Sequence, residues 1–261
     1  MKIIFFDIDG TLIWDKSQLM SESTKEAIRI ARANGNICMI NTGRTKILVG
    51  EEITGQVEFD GFLLGCGTMV LYHDQVLMHQ TFPDELSAKI MDGLKKHGID
   101  VVLEGSDGLY CESPERMETK AFGQFVQGLD ASRRLPYGQA VGKFDKFYCY
   151  VEDQSRMDAF QAEFNEVLDF IDRDGGFYEV LPKGASKATG IDFIAKHLGL
   201  SLEDTVAIGD SSNDFPMLEH AKISIAMGNA IQAVKDMATY VTTDVKEDGI
   251  WNALKWLGVL D

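Results

Sequence analysis

Apolar positions fall along this chain in two rhythms. The first run, Ile3-Ile4-Phe5-Phe6, is short and unbroken and ends in Asp7-Ile8-Asp9-Gly10. A run of that length, rich in β-branched and aromatic residues, is the pattern of a buried strand. Ser23-Thr24-Lys25-Glu26 then has the spacing of a capping box, and apolar residues at Ala27, Ile28, Ile30 and Ala31 predict a helix stopping at Gly35. Ile37-Cys38-Met39-Ile40 is a second buried run, ending at Asn41-Thr42-Gly43-Arg44. Strand, helix and strand in that order predict a βαβ unit with parallel strands. Both strand ends then share the sheet edge at which open α/β sheets bind ligands.

Between 59 and 82 the pattern shortens. Phe62-Leu63-Leu64, Met69-Val70-Leu71-Tyr72 and Val76-Leu77-Met78 read as strands, the last two joined by a hairpin loop at His73-Asp74-Gln75. Beyond Pro83 the pattern predicts a helix over 84–97, strands at 99–103 and 146–152, a helix over 154–168 and a strand at 177–181. These do not alternate regularly. Alternation returns after Pro182, with helix 187–197, strand 205–208, helix 213–220, strand 223–226, helix 230–237, a short strand from Val241 and a last amphipathic helix. We therefore expect an α/β fold: a doubly wound parallel sheet built from 1–82 and 183–261, interrupted by an α+β domain over 83–182.

The 261 residues suit one large domain or two smaller ones, and a 45% hydrophobic content can fill a core. A net charge of -16 argues against a nucleic-acid partner, since phosphate backbones need a basic face. A small anionic substrate would need local positive charge, and a metal ion is its simplest source. Cys38, Cys66, Cys111 and Cys149 are scattered without a C-x-x-C, so neither zinc ligation nor a disulfide framework is expected. No run approaches the roughly 18 apolar residues of a membrane span. The apolar start is cut by Asp7 and Asp9 and does not make a signal peptide. The expectation is a cytoplasmic protein, monomeric or homodimeric, with neither membrane nor nucleic acid as partner.

The candidate chemistry sits at strand ends. If β geometry persists to Asp9, Asp7 and Asp9 leave the same face. Like charges that close raise each other's pKa unless a cation lies between them. Asp7-Ile8-Asp9, Thr42-Gly43-Arg44 and Gly209-Asp210-Ser211-Ser212-Asn213-Asp214 all end strands on one predicted sheet edge, and Lys187 opens a helix in the same layer. Each has an ordinary alternative: a turn for Thr42-Gly43, a solvated lysine for Lys187, a helix first turn for Asp210 and Asp214. Together they suit phosphoryl transfer. Asp7, Asp210 and Asp214 can ligate Mg²⁺, which prefers carboxylates, waters and phosphate. The Thr42 hydroxyl can hold phosphoryl oxygens, and Lys187 can supply positive charge where negative charge develops. Asp7 can attack phosphorus, while Asp9 gives a proton to the leaving oxygen and takes one from water.

These segments resemble the four motifs of the haloacid dehalogenase-like superfamily: DIDGT at 7–11, T-G-R at 42–44, S-K at 186–187 and GDSSND at 209–214. The late insertion and the closing K-E-D-G-I at 246–250 are similar to its Cof-type sugar-phosphatase branch, with an α/β cap between the second and third motifs. The resemblance implies a Rossmann-like core and a Mg²⁺-dependent phosphatase acting on a small phosphomonoester, such as a sugar phosphate, through an aspartyl-phosphate. It implies Asp7 as nucleophile and metal ligand, and Asp9 as acid/base, touching the metal through its carbonyl. Thr42, Gly43, Arg44, Lys187 and Asn213 become phosphate or substrate contacts, and Asp210 and Asp214 metal ligands. Alternatives are a phosphomutase and a non-catalytic phospho-aspartate switch. The chain departs from the branch at Ala188, at Cys66-Gly67-Thr68 and at Ser211.

Overall fold

In the computed structural model, which describes residues 1–14 and 18–261, the first apolar run forms β1 (Ile3–Phe6), buried along its whole length. Helix α1 (Glu22–Ala33) follows. Its N-cap is Ser21, not Ser23: Ser21 has extended backbone and its side chain accepts from the Thr24 N–H. The Ser23 hydroxyl instead donates to Asp248 Oδ1 at 2.5 Å. Strand β2 (Ile37–Asn41) lies parallel to β1. After the one-turn helix α2 (Glu51–Thr54), β3 (Gly61–Leu64) adds in parallel. Then β4 (Met69–Tyr72) and β5 (Gln75–His79) extend the sheet antiparallel. His73 and Asp74 join them with φ of 44° and 63°, the two positive values that a type I′ hairpin turn requires.

The chain forms two compact units, one of residues 1–44, 49–79 and 186–261 and the other of 45–48 and 80–185. The second unit holds α3 (Asp84–Lys96), β6 (Asp100–Gly105), β7 (Leu109–Cys111), α4 (Lys120–Gly128), β8 (Arg134–Pro136), β9 (Phe144–Tyr150), α5 (Gln154–Phe164), β10 (Leu168–Asp172) and β11 (Phe177–Pro182). Its sheet runs β10-β11-β9-β6-β7-β8, antiparallel except for the last pair. Ile90, Leu94, Leu103, Phe147, Phe160 and Val180 fill its core. The hydrophobic pattern did not reveal β7, β8, α4 or β10. The first two are three-residue strands, too short for a period to register.

The first unit resumes with α6 (Lys187–Leu198), β12 (Thr205–Gly209), α7 (Phe215–His220), β13 (Ile223–Ala226), α8 (Gln232–Met237), β14 (Tyr240–Val241) and α9 (Gly249–Trp256). The completed order is β14-β13-β12-β1-β2-β3-β4-β5, with the first six strands parallel. Helix α1 packs on α9, and α6 on α7. Ile4, Phe5, Met39, Val206, Ile208 and Ile225 are fully buried in this layer. From β1 the chain first builds outward through β2 and β3, then returns to build through β12 on the other side. The strand order thus reverses between β1 and β12, and such a reversal opens a crevice at the carboxyl ends of the strands. Asp7, Thr42 and Asp210 stand immediately after β1, β2 and β12. Among the described residues no helix is long and apolar enough to cross a membrane.

Candidate active site

Strand geometry does not persist to Asp9. The Ile8 carbonyl accepts from the N–H groups of Leu12 and Ile13, at 2.9 and 3.1 Å, and closes a tight loop directly after the strand. The two carboxylates therefore part. Asp7 is buried at 3% exposure, whereas the Asp9 side chain is 60% exposed. The acids that press on Asp7 are Asp214 and Asp210. A side-chain period of two applies only while the backbone stays extended.

Around Asp7 a buried charge cluster forms. Lys187 is the first residue of α6, placed there by the N-cap Ser186 and its reciprocal bond with Thr189. Its Nζ donates to Asp7 Oδ1 at 2.6 Å and to Asp214 Oδ1 at 2.5 Å. Asn41, the last residue of β2, donates from Nδ2 to the Lys187 carbonyl at 3.0 Å and fixes the lysine's root. Asp214 Oδ2 accepts from the N–H groups of Asp210 and Ser211, at 2.9 and 3.0 Å, so its carboxylate is held from both sides. Asp210 Oδ1 accepts from the Thr11 hydroxyl at 3.0 Å. Two glycines make room. A Cβ on Gly10, whose φ is +82°, would lie 2.2 Å from Asp210 Oδ2, and one on Gly209 would lie 2.6 Å from Asp214 Cγ.

Carboxylate oxygens of Asp7, Asp210 and Asp214 lie within 4.8 Å of one another. Burial and then the Asp214 charge push the Asp7 carboxyl up to about 8, and the same two causes push Asp210 up to about 7. Burial opposes the charge on Lys187, but Asp214 and Asp7 together hold it above the usual lysine range. Three carboxylates face one ammonium; with all three ionised, about two negative charges would be left uncompensated. An all-oxygen donor set with that deficit fits a hard divalent cation.

The other predicted residues lie in two places. Thr42 is buried, its N–H spent on the Leu63 carbonyl at 2.9 Å and its hydroxyl oxygen accepting from the Arg44 N–H at 3.2 Å. Gly43, half-buried, separates them. Arg44 reaches Asp9 and not the buried acids. Asn213 is half-buried, and its Oδ1 accepts from Ser211 Oγ. Cys66, one of the positions where the chain departs from the branch, has φ of +56° and donates its N–H to the Thr42 carbonyl at 3.0 Å.

Thr11 and Asn41 carry roles that the sequence reading did not assign, although Thr11 stands inside a quoted motif and Asn41 directly before one. Asn229 carried no signal. It donates from Nδ2 to the Gly10 carbonyl at 2.8 Å and accepts from the Val245 N–H at 2.9 Å, bracing the loop after β1.

Residues 4–254 match the family model of the haloacid dehalogenase-like hydrolases. The chain belongs to that family. It is 31% identical to YkrA of Bacillus subtilis (strain 168), with 99% of this chain and 98% of that protein covered. It is 26% identical to the 5-amino-6-(5-phospho-D-ribitylamino)uracil phosphatase YcsE of the same organism, over 98% of this chain and 95% of YcsE. Among solved structures, the subclass IIB sugar phosphatase BT4131 superposes with a TM-score of 0.79 at 28% identity, covering 99% of this chain and 100% of that one. These likenesses set the chain in the Cof-type branch and among phosphoric monoester hydrolases.

Proposed function

We propose that the chain is a Mg²⁺-dependent phosphatase that hydrolyses a small phosphomonoester, a sugar phosphate or related metabolite, through an aspartyl-phosphate on Asp7. The observation that carries this reading is the buried Asp7 carboxylate, bonded to Lys187 inside a group of three acids at the sheet's reversal point. Asp7, Asp210 and Asp214 would hold the metal, and the Asp9 carbonyl would be a further donor. When bound, the metal supplies positive charge that offsets the acids and the phosphoryl oxygens.

Asp7 forms the new O–P bond as the ester O–P bond breaks, and Asp9 gives its proton to the departing oxygen. Water then attacks phosphorus. Asp9 takes a proton from it, the Asp7 O–P bond breaks, and phosphate leaves with the Asp7 carboxylate restored. Lys187 and Thr42 hold the phosphoryl oxygens, and Gly43 and Asn213 line the same subsite. The second unit, residues 45–48 and 80–185, acts as the cap that selects the substrate. The enzyme works in the cytoplasm, a reading supported by four buried cysteines that stand as thiols.

The test is phosphate release from a panel of sugar phosphates, nucleotides and other monoesters, with Mg²⁺ and with a chelator. Metal-dependent release supports the proposal, and the ranking of esters defines the cap's preference. Transfer of the phosphoryl group back to a sugar phosphate without free phosphate would make the chain a mutase.

A further inference from the structure

Arg44 spends its guanidinium on the protein in a specific way. Nε donates to Asp9 Oδ2 at 2.9 Å and Nη2 to Asp9 Oδ1 at 2.5 Å, a two-bond fork on one carboxylate. Nη1 donates to Gln18 Oε1 at 2.7 Å. Gln18 is itself anchored, since its carbonyl accepts from Gln56 Nε2 at 2.6 Å, and Gln56 Oε1 accepts from the Met20 N–H at 2.9 Å. At the other end the Arg44 N–H rests on the Thr42 hydroxyl, and the Arg44 carbonyl accepts from the Gly65 N–H at 2.9 Å. A residue fixed in this way, by its backbone at one end and its guanidinium at the other, is a strut between Thr42 and Asp9.

Stability does not explain the strut. The Asp9 side chain is 60% exposed, and ion pairs so open to water contribute little. A two-bond guanidinium–carboxylate fork does fix the plane of the carboxylate, because both groups are flat. Asp9 needs that help. It sits within a closed loop, faces solvent and, among the described residues, shows no hydrogen bond other than those from Arg44.

We infer that Arg44 is a positioning residue for Asp9: it aims the acid/base at the ester oxygen while its own backbone is tied to the Thr42 hydroxyl that grips the phosphoryl group. This rests on the phosphatase reading above. It replaces a direct substrate contact for Arg44 with action through Asp9.

The test is a double-mutant cycle with Arg44→Gln, Asp9→Asn and both together, assayed on an alkyl phosphate and on p-nitrophenyl phosphate. If Arg44 acts through Asp9, Arg44→Gln lowers kcat on the alkyl ester by roughly 10- to 100-fold, part of what proton transfer contributes. KM then stays within about twofold, and the loss on the activated ester is small. In the Asp9→Asn background Arg44→Gln costs nothing further. Arg44→Lys keeps the charge but not the fork and does not restore the alkyl-ester rate. A raised KM with kcat kept, or losses that multiply in the double variant, overturns the inference in favour of a direct substrate contact. Should Arg44→Gln fail to fold, the Arg44→Lys cycle gives the same two outcomes. An Asp7→Asn variant run alongside separates the two levels: if it stays active, the phosphatase reading itself has failed.

Discussion

Lys187 offers the sharpest physical test of the buried cluster. Its side chain is fully buried, and its Nζ stands 2.6 and 2.5 Å from oxygens of Asp7 and Asp214, whose side chains are 4% and 0% exposed. At an effective dielectric of about 20, each contact is worth roughly 6 kcal/mol of gross Coulomb attraction. Most of that offsets the desolvation of three charges. Removing one partner of such a set still leaves its companions buried and uncompensated, which costs about 3–5 kcal/mol. We predict that Lys187→Met lowers the metal-free unfolding free energy by that amount, a factor of roughly 10² to 10⁴ in the folding equilibrium. Methionine matches the stem in length, so packing is nearly conserved and the lost charge dominates. Urea denaturation at neutral pH with a chelator present reads the change. In an Asp214→Asn background the cost of Lys187→Met shrinks, because one orphaned carboxylate is gone. A loss below about 1.5 kcal/mol, the range of a volume-conserving swap, would refute the reasoning.

Further predictions come from other parts of the chain. Glu104 in the second unit has a side chain 5% exposed, 3.6 Å from Lys146 Nζ, and burial raises its carboxyl from 4.5 to about 7 despite that lysine. The folded state thus binds this proton more tightly than the unfolded chain. The stabilisation is complete below the unfolded pKa and is lost as pH rises through the folded one, by about 3 kcal/mol. Glu104→Gln removes that loss, so its stability relative to wild type should rise by about 3 kcal/mol between about pH 4 and pH 8; a constant difference in denaturation midpoints would exclude it. Glu179 behaves oppositely: burial disfavours its charge, but Lys146 and Arg173 hold it at about 2. Glu179→Gln should therefore be costly at neutral pH and progressively less so as pH falls below about 4.5; a penalty that does not shrink in acid would count against this. Asp9→Asn should slow turnover most for esters with poor leaving groups, which need the proton. Equal losses on activated and unactivated esters would remove Asp9 from that role.

Most of the core was legible in the sequence because its strands are buried on both faces. Ile3–Phe6, Ile37–Ile40, Thr205–Ile208 and Ile223–Ala226 are predominantly apolar runs; the last three became strands within a residue of their expected ends, whereas the first, expected to reach Asp9, stops at Phe6. What escaped has physical causes. The capping box was set two residues late because Ser21 and Ser23 lie two positions apart at the helix start, and only backbone geometry shows which is the cap. The second unit's β10 is half-buried along its middle and shows no clean alternation. In the site, the residue types were readable, but their partners were not. Asp7 and Asp9 are neighbours in sequence yet belong to separate clusters, one around Lys187 and one around Arg44. A single loop closure at Ile8 makes that difference, and no periodicity reports it. Asn229 shows the same limit, since it reaches Gly10 across 219 positions of chain.

The central claim is that the Asp7 carboxylate attacks phosphorus. Its most direct test is phosphate release by Asp7→Asn with Mg²⁺ present, on the best ester of the panel, with the fold checked by circular dichroism. A neutral amide is a poor nucleophile, so the account predicts a fall in kcat of roughly 10³-fold or more with the fold retained. Turnover near that of the wild type would contradict it.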